Sequence, residues 1–201
     1  LPVPQHWIID IYNMVTPDKY PCVLKPVDGM QGRDVNTYIK NITQFNKILD
    51  ELLQKYDKIM LENQVYGDNY RIFIFNNEIM DIVRRDKPFI IGNGIDTIEE
   101  LIKKKNEEQV SKKLYATKNL DWDYILEQGY KNDSILSISK KVFITNTINF
   151  HNGANPVRMD LQKVPDINKE MFIKAHKLIK LECSGIDYMS PDIYIPNNIN
   201  D

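Results

Sequence analysis

YPCVLKPVDGMQGRDV, residues Tyr20 to Val35, decides how the rest of this chain is read. Its apolar run Cys22-Val23-Leu24 ends in Lys25-Pro26 and opens into a loop holding Gly29 and Gly32. A short apolar run bounded by turn residues is the pattern of a buried strand. The two glycines let backbone N–H groups approach a ligand closely, and Lys25 sets a point charge at the strand's end. Backbone donors plus a cation beside a flexible loop suit a polyphosphate. This is not a Walker A loop: no Gly-Lys-Ser/Thr follows, and the lysine precedes the glycines. A strand with a glycine turn and a surface lysine accounts for the same residues. On this stretch alone both readings stand.

Working outward, Pro2 and Pro4 set an extended entry before a strand at Trp7 to Ile11. Downstream lies a second extended piece, Val35 to Ile39. Thr43 is expected to cap a helix reaching Tyr56, with Phe45, Ile48, Leu49, Leu52, Leu53 and Tyr56 as its apolar stripe. Ile59 to Leu61 reads as a buried strand. Ile72, Ile74, Asn76-Asn77 and Ile79 then read as a hairpin with an Asn turn. Gly67 interrupts the two strand runs and marks a boundary between lobes.

Thr97 with Glu100 forms a capping box, starting a helix expected to end near Asn106 and to be followed by a polar loop or poorly packed helix to Leu120. Asp121 caps a short helix stopped by Gly129. Lys141 to Thr145 reads as a strand and Asn146 to Asn155 as a polar loop carrying His151. Asn168 is expected to begin a helix whose Met171, Phe172, Ala175, Leu178 and Ile179 face inward, with His176 structural. Gly185 to Met189 is a last short strand, and Pro196 to Asp201 a tail without core residues. The sum is an α+β fold in two lobes, 1–66 and 67–201.

Composition narrows the function classes. Forty-two per cent hydrophobic and 27% charged residues are ordinary for a soluble domain, and 201 residues suffice for a real core. A net charge of −2 gives no footing for general nucleic-acid binding. No run approaches the roughly 20 apolar residues of a membrane span. Cys22 and Cys183 both sit in apolar runs, which reads as two buried thiols in a reducing, cytoplasmic setting. The chain opens Leu-Pro-Val-Pro rather than with Met, which suggests a piece of something longer.

Three stretches together resemble the ATP-grasp superfamily, above all the ligase domain of cyanophycin synthetase and of bifunctional glutathione-synthesising enzymes. YPCVLKPVDGMQGRDV is similar to that family's strand, Lys-Pro and glycine loop. IMLENQVYGDNYRIFIFNNEIMDIVRRDKP resembles its adenosine linker and hairpin. FIIGNGIDTIEELIKKKN resembles a Gly-Asp-Gly segment followed by a Thr-Ile helix start.

The resemblance implies two α+β lobes with ATP between them. Lys25 would contact the α- and β-phosphates, and Asp28, Gly29, Met30, Gln31, Gly32 and Arg33 would fold over them as a lid. Glu62 would meet the adenine amino group, Asn63, Gln64 and Val65 would supply the backbone edge, and Val65 would pack the ring. Asn69 falls where relatives carry a carboxylate for the ribose. Arg71 and Arg84 would face the transferring phosphate and the acceptor, with Arg85 on the other face. Asp187 would be the first Mg²⁺ ligand.

Set beside the family, the late loop NFHNGANPVRMD departs from the usual Ser-Thr-Gly-Gly: His151, Asn152 and Ala154 replace Ser, Thr and the second Gly, and Arg158 stands where Asp is expected. His151 is a candidate base there. The family's preceding N-terminal lobe and following Glu-x-Asn metal motif do not occur in the 201 residues. The implied function is an ATP- and Mg²⁺-dependent carboxylate–amine ligase acting through an acylphosphate on an amino acid or peptide. The alternative is an ATP-binding module with lost or altered catalysis. No nucleic-acid or membrane partner is implied, and a homo-oligomer is compatible with the sequence.

Overall fold

A computed structural model describes residues 3–29 and 32–197. The chain divides into two compact units, the first reaching Tyr66 and the second covering Gly67–Asn197.

The first unit is a four-stranded antiparallel sheet with one helix. Its strands are β1 (His6–Ile9), β2 (Cys22–Pro26), β3 (Asn36–Ile39) and, after helix α1 (Ile42–Leu53), β4 (Ile59–Asn63). The sheet order is β1-β4-β2-β3. One sheet face, with Ile9, Cys22, Leu24, Ile39, Ile59 and Leu61, packs on Phe45, Leu49 and Leu52 of α1 in a single core. Burial pushes the Cys22 thiol up to about 11, so it is an inert packing group. Asn41, not Thr43, caps α1: its side-chain oxygen accepts from Gln44 N–H at 3.0 Å. An amide at that position satisfies an orphan donor two residues earlier than the threonine would.

The second unit begins with the hairpin β5 (Asp68–Phe75) and β6 (Glu78–Asp86). Asn76 and Asn77 both take positive φ, 48° and 64°, as a two-residue primed turn demands. Next come β7 (Phe89–Ile91), α2 (Ile98–Ser111), α3 (Trp122–Glu127) and β8 (Lys141–Phe143), then β9 (Asn155–Arg158), α4 (Asp166–Ile179) and β10 (Cys183–Ser190). The main sheet runs β10-β5-β6-β9, while β7 and β8 pair separately. Tyr70, Ile72, Ile74 and Ile82 point to one face and pack against Met171 and Phe172 of α4 and against Ile193. A smaller core gathers Ile90, Ile98, Leu101, Ile102, Ile125, Leu136, Val142 and Ile144.

Several local expectations change. α2 runs through Ser111 rather than stopping near Asn106; an i,i+4 pair between Glu108 and Lys112 supports its last turns. α4 starts at Asp166, before Asn168. Leu178 and Ile179 are exposed, and the inward slot goes to His176, whose Nδ1 lies 2.7 Å from Ser184 Oγ. The stripe follows 168, 172 and 176, which leaves 178 and 179 past the edge of the buried face. Cys183 is exposed, correcting its reading as a buried thiol. β9 was expected as loop: NPVR has no alternation, and Pro156 suits an edge strand.

Gly92 closes the smaller core against the segment before β8. A Cβ there would collide with Ser137 O and Leu136 Cβ. Gly92→Ala is expected to lower unfolding stability by about 1–3 kcal/mol, the usual cost of overpacking, as read by urea denaturation.

Candidate functional site

The first unit's open sheet face presents Val23 and Lys25 from β2 and Met60 and Glu62 from β4. Lys25 lies opposite Met60 and Glu62 opposite Val23. Their diagonal brings Lys25 Nζ to 2.8 Å from Glu62 Oε2. A partly exposed pair of this kind contributes about 0–1 kcal/mol. A stronger anion could therefore take Lys25 over at little cost.

Beyond the strand, Asp28, Gly29, Gly32 and Arg33 are exposed, and Gly32 takes φ 73°. Met30 and Gln31 lie outside the described residues. The loop's far end is anchored: Tyr56 O–H donates to Asp34 Oδ2 at 2.6 Å, and Lys55 Nζ lies 3.5 Å from Oδ1. The Tyr56 hydrogen bond, helped by Lys55, holds the Asp34 carboxyl below its ordinary range. A depressed folded-state value stabilises above the unfolded-state pKa and is lost as pH falls through the folded one. Tyr56→Phe should raise the Asp34 pKa and reduce that pH-dependent stability, leaving the part due to Lys55; carboxyl NMR titration of both proteins measures it.

The linker is already hydrogen-bonded. Asn63 N–H donates to Gln5 O at 3.0 Å. Gln64 Nε2 donates to Val65 O at 2.8 Å, and Gln64 Oε1 accepts from Tyr38 N–H at 3.1 Å.

In the second unit, strand alternation sorts the charges onto two faces. A bulge decides the outcome. With Asn76-Asn77 as the turn, simple pairing would set Asn69 opposite Arg84. Instead the register shifts between Phe73 and Ile74, and Asn69 pairs with Arg85, Arg71 with Val83, and Tyr70 with Arg84. Opposed residues share a face, and a one-residue slip exchanges faces. Arg71 and Arg85 therefore share the open face, while Arg84 shares the helix-covered face with Tyr70.

The two guanidiniums converge on one carboxylate. Arg85 Nη2 donates to Asp187 Oδ1 at 2.8 Å, and Arg71 Nε lies 3.2 Å from the same oxygen. Arg85 Nε donates to Asn69 Oδ1 at 2.6 Å, and Arg71 Nη1 donates to Gly185 O at 2.8 Å. Arg85 also lies 5.7 Å from the Phe150 ring centroid. Its side chain is only 10% exposed, and burial, opposed by Asp187, lowers its pKa; an arginine stays charged all the same. Arg84 is held elsewhere, by Asp86 at 2.7 Å and Asp68 at 3.3 Å.

The residue that alternation assigned to the wrong face was thus Arg85. Its signal lay in β6 itself: Ile79 and Ile82 are three apart, yet both serve the buried side. Such odd spacing in a strand marks a bulge.

The late loop is structural in good part. Asn152 Oδ1 accepts from Lys118 N–H and Asn119 N–H at 3.0 and 2.8 Å, and Ala154 is buried. His151 is exposed, its ring 4.6 Å from that of Tyr115. Arg158 pairs with Asp81 at 3.0 Å. Asp187 carries two arginines, and among the described residues no group of three His, Cys, Asp or Glu gathers; Mg²⁺ ordinarily takes one or two carboxylates together with substrate phosphates and water, a set to which Asp187 would bring one carboxylate.

No family model matches the chain. It is 27% identical over 192 residues to cyanophycin synthetase of Synechocystis sp., covering 88% of this chain and 21% of that protein. Among solved structures, a bifunctional glutathione synthetase from Pasteurella multocida superposes with a TM-score of 0.59 at 20% identity, over 98% of this chain and 28% of its own. The D-alanine–D-alanine ligase of Bacillus anthracis complexed with ATP gives 0.53 at 11% identity, over 96% and 48%. The chain has the ATP-grasp fold. The chain spans about a fifth of the length of the curated relatives it matches. No helix among its described residues is long and apolar enough to cross a membrane.

Proposed function

We propose that the chain is the nucleotide-handling part of an ATP-dependent carboxylate–amine ligase. The observation that carries this reading is the convergence of Arg71 and Arg85 on Asp187 on an open sheet face. Two forked cations on adjacent strands suit a carboxylate and a phosphoryl group held side by side. In the other unit, Lys25 ends a strand at a glycine loop and, among the described residues, pairs with Glu62, ready for a phosphate.

In this reading Lys25 carries the charge of the α- and β-phosphates while Glu62 turns to the adenine amino group. The loop Asp28 to Arg33 covers the phosphates and excludes water. The acceptor carboxylate attacks the γ-phosphorus, ADP leaves with the bond electrons, and an acylphosphate forms. Arg71 and Arg85 neutralise the charge spreading over the phosphoryl oxygens. An amine then attacks the acyl carbon, inorganic phosphate departs, and the amine proton passes to a base. The substrate is an amino acid or peptide, supported by the names of the relatives. Asn69, tied to Arg85, is a positioning residue here. His151 is placed on the same late loop as Phe150 and is a candidate for the amine's proton. Asp187 would hold Mg²⁺ together with the nucleotide phosphates, where the ion would neutralise phosphate charge.

A second reading is an ATP-binding module without turnover, favoured by the full engagement of Asp187 and the rebuilt late loop. Calorimetry with Mg-ATP, followed by ADP release with amino-acid and dipeptide mixtures, separates the two. Substrate-dependent ADP release supports the ligase; binding without it supports the module.

A further inference from the structure

On the open face of the second unit's sheet, the two guanidiniums have apolar neighbours that the ligase scheme leaves unused. Ile72 and Ile74 of β5 are fully buried in the core beneath α4. Arg71, Phe73 and Phe75 therefore alternate onto the opposite, open side, at steps of roughly 7 Å along the strand. Phe73 is 44% and Phe75 43% exposed. Adjacent large apolar groups left in water mark a surface that gains by being covered.

A glycine turns Arg71 toward these rings. Phe73 stands opposite Gly185 of β10. Arg71 Nη1 donates to Gly185 O at 2.8 Å, and a Cβ at 185 would lie 2.7 Å from the same Nη1. The guanidinium thus occupies the place where a side chain facing Phe73 would stand. Opposed residues on one face are about 5 Å apart, so the charged fork lies beside the Phe73 ring. On its other flank Phe73 stands opposite Asp81, whose carboxylate pairs with Arg158 at 3.0 Å. One step further on, Phe75 lies between Cys183 and Glu78. Along β5 the open face therefore changes from forked cations to phenyl rings.

We infer that the carboxylate held by Arg71 and Arg85 belongs to an amino acid with an apolar side chain, and that this side chain lies on Phe73 and Phe75. This substrate class rests on the ligase reading of the two arginines. An α-amino acid fits the step, because its side chain branches one carbon from the carboxylate and so falls toward the Phe73 ring when the carboxylate sits on the Arg71 fork. A charged side chain would lose hydration there without gaining a partner, since Asp81 and Arg158 beside Phe73 already pair with each other. Phe73 is then a specificity-determining residue.

The test is an NMR titration of the 201-residue chain, with and without Mg-ADP, using leucine, phenylalanine, alanine, aspartate, lysine and leucinamide. Leucine and phenylalanine should give saturable shifts at the amides of Asp68–Phe75 and Cys183–Ser190. They should bind at least about tenfold tighter than alanine, aspartate or lysine, as the extra apolar area buried on a ring implies. Leucinamide, which lacks the carboxylate, should bind at least about tenfold more weakly than leucine. Phe73→Ala should cut the leucine-to-alanine affinity ratio at least about fivefold, and Phe73→Leu should restore it. Equal binding of leucine and alanine, an unchanged ratio in Phe73→Ala, or no shifts in either condition at roughly 20 mM leucine, the weak end of the affinity scale, would overturn the apolar class. ADP release with aspartate or lysine but not with leucine would overturn it too, and would leave the ligase reading standing. Leucine-selective binding that depends on Phe73, without ADP release from any amino acid, would support the apolar surface and count against the ligase.

Discussion

Arg85→Ala should reduce substrate-dependent ADP release by about 10²- to 10³-fold, the loss typical of removing one preorganised charge-stabilising donor. Arg84→Ala should cost less than tenfold. The contrast follows from the bulge in β6. It turns Arg85 onto the open face beside Arg71, 2.8 Å from Asp187, and leaves Arg84 with Asp68 and Asp86 on the helix-covered side. Arg85 is also bonded to Asn69 and lies against Phe150, so its fork is held in place before any ligand arrives. Preorganisation of that kind is what makes a donor effective in a transition state. Arg85→Lys keeps the charge and loses the fork, so it should fall between the parent and the alanine variant. Urea denaturation of all three distinguishes lost chemistry from lost folding. Equal rates for Arg84→Ala and Arg85→Ala would contradict the assignment of faces.

Lys25→Met should weaken Mg-ATP binding by roughly 10- to 100-fold, the range given by a hydrogen bond to a charged group of about 1.5–3 kcal/mol. Folding should be little affected, because the Lys25–Glu62 pair is partly exposed and the methionine keeps the aliphatic stem on the sheet. Calorimetric titration of parent and variant reads the change directly. Unaltered affinity would remove Lys25 from the nucleotide site and return Tyr20 to Val35 to a plain strand and turn.

Much of this architecture is legible in the residues, for reasons that are local. The Thr97–Glu100 capping box and the Asn76-Asn77 turn each satisfy their own backbone, so neighbours a few positions apart suffice to read them. The strand Cys22–Pro26 is equally plain, because its apolar run is buried against α1. What escaped depends on contacts far along the chain. β9 exists because Val157 and Arg158 find β6, which nothing within NPVR announces. α4 buries His176 in place of Ile179 because Ser184, eight residues on, offers it a partner. The candidate site shows the same division. The place of Lys25 at the end of a strand is legible in its own segment, whereas the meeting of Arg71 and Arg85 rests on one extra residue in a strand.

Hydroxylamine trapping shows directly whether this chain serves an acylphosphate-forming ligase. Hydroxylamine intercepts an acylphosphate and yields a stable hydroxamate with release of phosphate. Incubated with Mg-ATP and amino-acid or dipeptide mixtures, the protein should form ADP and hydroxamate in equal amounts, and Arg85→Ala should form at least a hundredfold less of both. Saturable ATP binding with no hydroxamate from any mixture would contradict the ligase and leave a nucleotide-binding module.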